Sequence, residues 1–209
     1  VLAGNSNLTI ASTLRCRGGI MQGAGRTIIA PGAVLDISGS DYHKQLYRAL
    51  DLRGNGTFSG GGYLYGGFGV PFNIFAGSTF DVQGDQNMPY GGGGNYAQIN
   101  VSGTLRKSSG SAVASIGFLL NNAGLVQAQS GTFSFGAGGW SSGAFDAASN
   151  AVLNFGGGTH TITNGVSFTA TGSGFHRVDA GTLDIATALT MNPLFELTAG
   201  GVLAGNSNL

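Results

Sequence analysis

Residues 131–155 read GTFSFGAGGWSSGAFDAASNAVLNF, and the pattern that opens this stretch returns at its end. In GTFSF at 131–135 and in AVLNF at 151–155, large apolar side chains alternate with smaller ones, as in a strand that is buried on one face. Equivalent apolar positions recur about 20 to 22 residues apart along much of the chain, for example from Leu183 to Leu203. This spacing is typical of one coil of a β-solenoid that carries two or three short strands per turn.

The composition favours strands over helices. Glycine supplies 40 of 209 residues, too many for long helices, while a hydrophobic content of 42% is too high for a disordered chain. We therefore expect an all-β, single-stranded, right-handed parallel β-solenoid (a parallel β-helix) with about 20–25 residues per coil. A β-sandwich with hairpins is the alternative. Only Asn55-Gly56 and Asn164-Gly165 offer the usual hairpin signal.

The first eight residues, VLAGNSNL, are repeated at 202–209. This identity indicates that residues 1–201 form one repeat unit and that 202–209 begin the next identical one. A solenoid cut between coils exposes a strand edge and an open core, and neither end of the unit offers a cap. We therefore expect both octapeptides to share one conformation and the units to stack without a break. The residues expected at this repeat junction are Val1, Leu2, Leu8, Gly201, Val202, Leu203 and Leu209.

Two stretches interrupt the rhythm of the coils. The charged residues 41–53 are expected to form a loop that runs into a coil. Residues 60–96 are rich in glycine and aromatic residues and are expected to form one or two coils with protruding loops. Four tyrosines in this second stretch could stack on a carbohydrate or form contacts between fibres: Tyr63, Tyr65, Tyr90 and Tyr96.

Charge and hydropathy exclude two classes of partner. Nine basic and nine acidic residues cancel, so the chain has no electrostatic footprint for nucleic acid or for an anionic membrane surface. No segment approaches the length of continuous apolar sequence that a membrane span requires. The expected surface is neutral and rich in Ser, Thr, Asn and Gly, which is common in extracellular proteins.

Residues with the potential for chemistry are few and scattered. Asp36, Asp81 and Asp184 occupy similar places in their strands and are expected to point into solvent, and Asp81 with Asp85 offers at most a weak calcium site. The histidines lack metal-ligand spacing, and no nucleophile motif or P-loop occurs. We therefore expect no enzyme, no catalytic residues, no cofactor and no metal. Cys16 is expected to be a buried free thiol, with an interchain disulfide as the alternative.

Several strand-containing stretches resemble repeats of very large bacterial surface proteins and, more loosely, filamentous-haemagglutinin and autotransporter-passenger solenoids. The resemblance lies in residues 79–86, 120–132, 151–162 and 175–185. It covers most of residues 1–58 and 76–205. It implies a right-handed parallel β-helix in an exported protein, serving as an extended scaffold or adhesin without catalytic residues.

The expected function is therefore structural. The chain is expected to be a unit of an extracellular fibre or of a giant cell-surface repeat protein, with copies of itself as the principal partner and surface polysaccharide as a possible second one. The alternative is a carbohydrate-binding or carbohydrate-cleaving β-helix that uses the four tyrosines. A third possibility is a non-covalent head-to-tail polymer of separate subunits.

Overall fold

The computed structural model describes residues 1–40 and 43–205. The chain is an all-β parallel β-solenoid of about nine coils of roughly 21 residues, with no helix among the described residues. This confirms the fold class that the alternating pattern predicts. Every pairing between strands in the described residues is parallel, so the β-sandwich alternative is wrong. Within that part of the chain no helix is available to cross a membrane.

Each coil passes over three faces, and each face is a parallel sheet of strands from successive coils. The first face holds β1 (Leu8–Ile10), β3 (Gly19–Ile29), β5 (His43–Leu52), β7 (Tyr63–Gly66), β8 (Pro71–Ile74), β10 (Gln98–Val101), β13 (Leu119–Asn122), β16 (Gly139–Ser141), β19 (Thr159–Ile162), β22 (Thr182–Ile185) and β24 (Val202–Gly205). The second face holds β2 (Thr13–Cys16), β4 (Val34–Ile37), β6 (Asn55–Phe58), β9 (Thr79–Gln83), β11 (Thr104–Ser109), β14 (Leu125–Ala128), β17 (Ala144–Ala147) and β20 (Ser167–Ala170). The third face holds β12 (Val113–Ile116), β15 (Thr132–Phe135), β18 (Val152–Phe155), β21 (Phe175–Val178) and β23 (Leu194–Leu197).

The third face continues into the early coils through strands that share a sheet with the first face. Strands β3 and β5 are long because each turns the corner between these two faces, and the register of their pairing shifts between Gln22 and Arg26. The early part of β5 also pairs with β7. Single bridges then join Tyr63 to Asn87 and Met88 to Ile116, which links β7 to β12 on the third face.

The strand register gives the coil count directly. Nine pairing steps along the first face lead from Leu8 to Leu203, and each step joins one coil to the next. Side chains that point inward along these steps form one continuous core, since alternate residues of a strand face opposite sides. Phe72 and Phe80 meet edge to face at 4.8 Å, and Phe145 stacks on Phe168 at 5.0 Å. Burial of each such side chain stabilises the fold by about 1.5–3 kcal/mol.

The loop expected at residues 41–53 is a strand over the described part of that range. Strand β5 begins at His43, and Lys44, Leu46 and Arg48 all point inward. The alternation of apolar and polar residues is not visible in this part of the sequence, because charged side chains occupy inward positions. They are tolerated because backbone carbonyls receive them: the Nζ of Lys44 donates to the oxygen of Gly61 at 2.9 Å.

Two further predictions about single side chains have different outcomes. Cys16 is a free, buried cysteine on the inner side of β2, which confirms the first interpretation, and burial raises the pKa of its thiol. Asp81 is not in solvent as expected: it is 5% exposed and pairs with the Nη2 of Arg106 at 2.8 Å. Asp85 pairs instead with Lys107, so the two carboxylates are each neutralised by a cation on the next coil.

Candidate functional sites

The amino-terminal end of the solenoid is an open edge with apolar residues at its rim. Leu2 forms a bridge to Met21 on the third face, while Val1 is 85% exposed. A cavity of about 120 Å³ opens here between these residues, Leu14 and Cys16. The inner side of the first coil is therefore only partly covered by its own chain.

Arg48 anchors the amino-terminal octapeptide from two coils away. Its guanidinium is buried at the corner where β3 shifts register, and it donates to the carbonyl oxygens of Gly4 and Ser6 at 2.5 Å each. The same group donates to the carbonyl of Arg26 at 3.0 Å and to the Thr27 hydroxyl at 3.2 Å. Charge-assisted bonds of this kind are about twice as strong as neutral ones, so Arg48 holds the corner of the first coil in place.

The first octapeptide also makes bonds with the coil above it. The backbone N–H of Gly25 donates to the carbonyl of Gly4 at 3.2 Å, and that of Arg26 donates to the Oδ1 of Asn7 at 3.0 Å. Leu8 then enters β1 on the first face. The conformation of this octapeptide is thus set by residues that follow it in the sequence.

The carboxyl-terminal end presents exposed apolar side chains on its last coil. Val202–Gly205 form β24 and pair with Thr182–Ile185, while Gly201 bonds back to Thr198 in the preceding turn. Leu194, Leu197, Val202 and Leu203 are 66%, 52%, 49% and 38% exposed. A cavity of about 90 Å³ lies under them, lined by Ile185, Leu189, Met191, Phe195 and Leu203. None of the described residues covers the strand edge at this end.

The two octapeptides do not share a conformation over their described residues. Leu2 lies on the third face, but Leu203, the same position of the repeat, lies on the first face in register with Leu8. The φ of Gly4 is +132°, whereas Gly205 lies in a strand. The expectation of identical conformations is therefore wrong for Val202–Gly205; residues 206–209, including Leu209, lie outside the described residues.

The bonding partners of the first copy give a physical reason for the difference. Gly25, Arg26 and Arg48 fix the first octapeptide, and each lies 19 to 44 residues after the residue to which it bonds. Among the described residues, no arginine donates to Val202–Gly205 in this way. Val202–Gly205 instead take the free edge of β22, where parallel pairing satisfies their backbone groups.

A cleft of about 430 Å³ lies on the third face, in the glycine-rich and aromatic stretch. Three of the four singled-out tyrosines line it: Tyr63, Tyr65 and Tyr90, together with Asn87, Pro89, Ser115 and Gly117. Tyr96 is not among the lining residues but packs on Tyr90 with ring centroids 4.7 Å apart. The structure thus brings together residues from three successive coils that the sequence could only group by composition.

The buried histidines were not recognised from the sequence as core residues. His160 is 1% exposed, with its Nε2 2.8 Å from the Ser141 hydroxyl, and His176 is fully buried, with its Nε2 2.8 Å from the carbonyl oxygen of Thr169. Burial lowers the pKa of His160 to about 4 and lowers that of His176 as well. Both point inward among phenylalanines, so they act as polar members of the core. The described residues contain no group of three His, Cys, Asp or Glu side chains placed to hold a metal ion.

The fold places the chain in the class of parallel β-solenoids. Comparison with models of known protein families, with curated proteins and with solved structures finds no match.

Proposed function

We propose that this chain is a structural unit of an extracellular fibre or giant cell-surface repeat protein, in which units stack coil on coil. The observation that supports this most directly is that residues 1–8 recur at 202–209, beside the inward Leu197 and Leu203, which are 52% and 38% exposed on the last described coil. The side chains of Leu197 and Leu203 lie in register with the buried Val178 and Leu183, so they would become core residues if another coil covered them. The occupant that the sequence itself supplies is the next copy of the same unit.

The surface fits an extended extracellular structure rather than a catalyst. Only 9% of residues are charged and the formal net charge is zero, so adjacent units do not repel one another. The side chains best suited to catalysis, the Ser141–His160 pair, lie inside the core, where a substrate has no access. The proposed role is thus mechanical: parallel hydrogen bonds run along the axis of the rod, and stacked side chains fill its interior.

Seamless stacking requires the second octapeptide to move. In a chain of two units, the arginine of the second unit that corresponds to Arg48 is available to bind the carbonyl of Gly205. We expect it to place Val202–Gly205 on the third face, as Arg48 places Val1–Gly4, which also requires β23 to leave the third-face edge of β21. The strand that follows would then take the edge of β22 on the first face. Asp184, which pairs with Ala204 in the 209-residue chain, would then pair with Thr9 of the second unit.

Engineered disulfides test this exchange. Neighbouring residues of adjacent parallel strands lie about 4.8 Å apart, within the range of Cα separations that a disulfide spans. With Cys16→Ala as background, Asp184→Cys with Ala204→Cys should cross-link in the 209-residue chain, where these positions are paired. In a two-unit chain, Asp184→Cys should instead cross-link to Thr9→Cys of the second unit. Equal cross-linking of Asp184→Cys to Ala204→Cys in both chains would exclude the exchange.

The stacking itself is tested at the exposed rim. Leu197→Lys places a charge where the next coil would sit, so it should shift assembly to smaller species in light scattering across a concentration series. The matched control is Val113→Lys, which alters a side chain that is 49% exposed but points outward in the middle of the solenoid. If neither variant changes assembly, or both change it equally, stacking through the ends is wrong.

Electron microscopy and electrophoresis of native material complete the test. Nine coils at about 4.8 Å each predict an axial repeat of roughly 43 Å along a fibre. Denaturing electrophoresis separates the two ways of building it, since covalent repeats give very large species and a non-covalent polymer gives a 21.0 kDa band. Globular particles without an axial repeat would count against a fibre of either kind.

A further inference from the structure

The cleft on the third face arises from a change in side-chain size along the axis. Outward positions on this face descend from Tyr63 through Asn87 to Ser115, as the bridges between coils align them. The neighbouring row descends from Tyr65 through Pro89 to Gly117. The tyrosine side chains therefore project further from this face than the smaller residues on the next two coils. This difference in side-chain size forms a trough that runs parallel to the strands.

The trough extends beyond the cleft around the corner of the coil. A second hollow of about 340 Å³ shares Tyr63 and Asn87 with the cleft and is lined further by Gly60–62, Asp85 and Gln86. The absence of side chains at three successive glycines opens this part of the surface. Together the two hollows offer a continuous, elongated site rather than a closed pocket.

The walls of the cleft are braced by contacts outside it. Tyr65 stacks on His43 at 5.9 Å and meets the edge of Tyr63 at 5.7 Å. Tyr90 packs on Tyr96 and donates its hydroxyl hydrogen to the carbonyl of Gly94 at 2.5 Å. These rings are held before any ligand arrives, which lowers the entropic cost of binding.

The chemistry of the cleft is aromatic, polar and uncharged. The Oδ1 of Asn87 accepts a bond from the N–H of Ser115 at 2.7 Å, which fixes the amide. Among the described residues, none pairs with the Nδ2 of Asn87, the Ser115 hydroxyl or the Tyr65 hydroxyl, so three polar groups are available to a ligand. Apolar walls with a few convergent hydrogen-bonding groups are the pattern of a small-molecule or oligomer site.

We propose that this trough binds a neutral polysaccharide. Tyrosine rings cover the apolar faces of sugar rings, while amide and hydroxyl groups bond to sugar hydroxyls. An anionic glycan is disfavoured because, in the part of the chain that the structure describes, no cationic side chain lines the trough. Among the described lining residues Asp85 is the one carboxylate, and it is paired with Lys107 at 2.9 Å, whereas glycoside hydrolysis uses two carboxyl groups. The site therefore binds glycan without cleaving it.

The test is binding of the 209-residue chain to an immobilised panel of neutral glucans, mannans and galactans, with polygalacturonate as the anionic control. At least one neutral polysaccharide should bind, and Tyr65→Ala or Asn87→Ala should weaken that binding by roughly tenfold or more. Tyr65→Phe keeps the ring and should retain most of the affinity. Trp140→Ala removes an exposed aromatic residue on the first face and should have no effect.

Three results would overturn the proposal. They are no binding to any neutral member of the panel, binding that Tyr65→Ala leaves unchanged in a variant with wild-type thermal stability, and equal binding of polygalacturonate. If Tyr65→Ala instead weakens lateral association of the protein while the panel gives no signal, the tyrosines form contacts between fibres. This site is independent of stacking through the ends, so Leu197→Lys should leave glycan binding intact.

Discussion

Acid should destabilise this protein well above the pH at which its carboxylates titrate, because of His160. The imidazole lies among Phe145 and Phe155, with ring centroids 6.1 and 5.0 Å away, and is 1% exposed. Desolvation by burial lowers its pKa from 6.5 to about 4, and the nearby backbone of Gly138 opposes this only in part. The folded protein therefore keeps His160 neutral at a pH where the unfolded chain would already be protonated.

The sign and size of the effect follow from linkage. Between pH 6.5 and pH 4 the unfolded state binds a proton at this position and the folded state does not, so the stability falls as the pH is lowered through this window. The difference of 6.5 − 4 in pKa corresponds to about 3 kcal/mol, as an order of magnitude. His176 adds to the loss, since burial lowers its pKa in the same direction.

The assay is urea unfolding at a series of pH values for the wild-type protein and for His160→Leu. Leu120 and Leu183 occupy the same inward column of the first face, so leucine suits the position. The variant loses a hydrogen bond to Ser141, which costs about 1 kcal/mol at every pH, but it should lose about 3 kcal/mol less on acidification. If wild type and variant lose equal stability between pH 6.5 and pH 4, the buried, neutral assignment of His160 is refuted.

Three further perturbations have defined outcomes. The guanidinium of Arg48 holds the first coil in place, so Arg48→Met should cost about 3 kcal/mol of local stability. In hydrogen exchange, the amides of Gly25 and Arg26 should lose their protection while those of β13 keep it. A uniform loss of protection along the chain would contradict this. Leu153→Ala, at a fully buried position, should cost about 2–5 kcal/mol in chemical unfolding, against less than about 0.5 kcal/mol for Val113→Ala on the surface; similar costs would show that Leu153 is not a core residue. Gly139→Ala should cost about 3 kcal/mol, because the added Cβ would clash with the Leu120 carbonyl oxygen, whereas Gly77→Ala, also at positive φ but with open space around it, should cost about 1 kcal/mol; equal values would mean that φ alone decides both.

The fold could be predicted because its signal is repeated. Each strand is only about four residues long and weak by itself, but an inward residue such as Phe133 predicts the next one, Leu153, a coil away. The same periodic logic failed at Lys44 and Arg48, where long cations replace apolar residues at inward positions. Both cations donate to backbone carbonyls on other coils. Every residue has a backbone carbonyl, so residue types alone do not show which ones accept these bonds.

The candidate cleft could be predicted only in part. Composition drew attention to the tyrosines, but Asn87 and Ser115 are ordinary polar residues whose importance depends on being aligned with Tyr63 across two coils. The steps between coils are irregular here, since the bridge from Met88 to Ile116 spans more residues than the average coil. A fixed period of 20 to 22 residues therefore cannot align these positions.

The repeated octapeptide shows where local sequence stops determining structure in a solenoid. VLAGNSNL has few large side chains, and its remaining residues are small or polar, so it fits the third face at one end and the first face at the other without burying different apolar groups. What separates the two placements is the set of hydrogen bonds from later coils, above all those of Arg48. Because each coil has only its two neighbours, a coil at an end lacks half of its constraints. The conformation of the octapeptide therefore depends on which coil lies next to it. The face on which it lies in a longer chain would show how the units are joined.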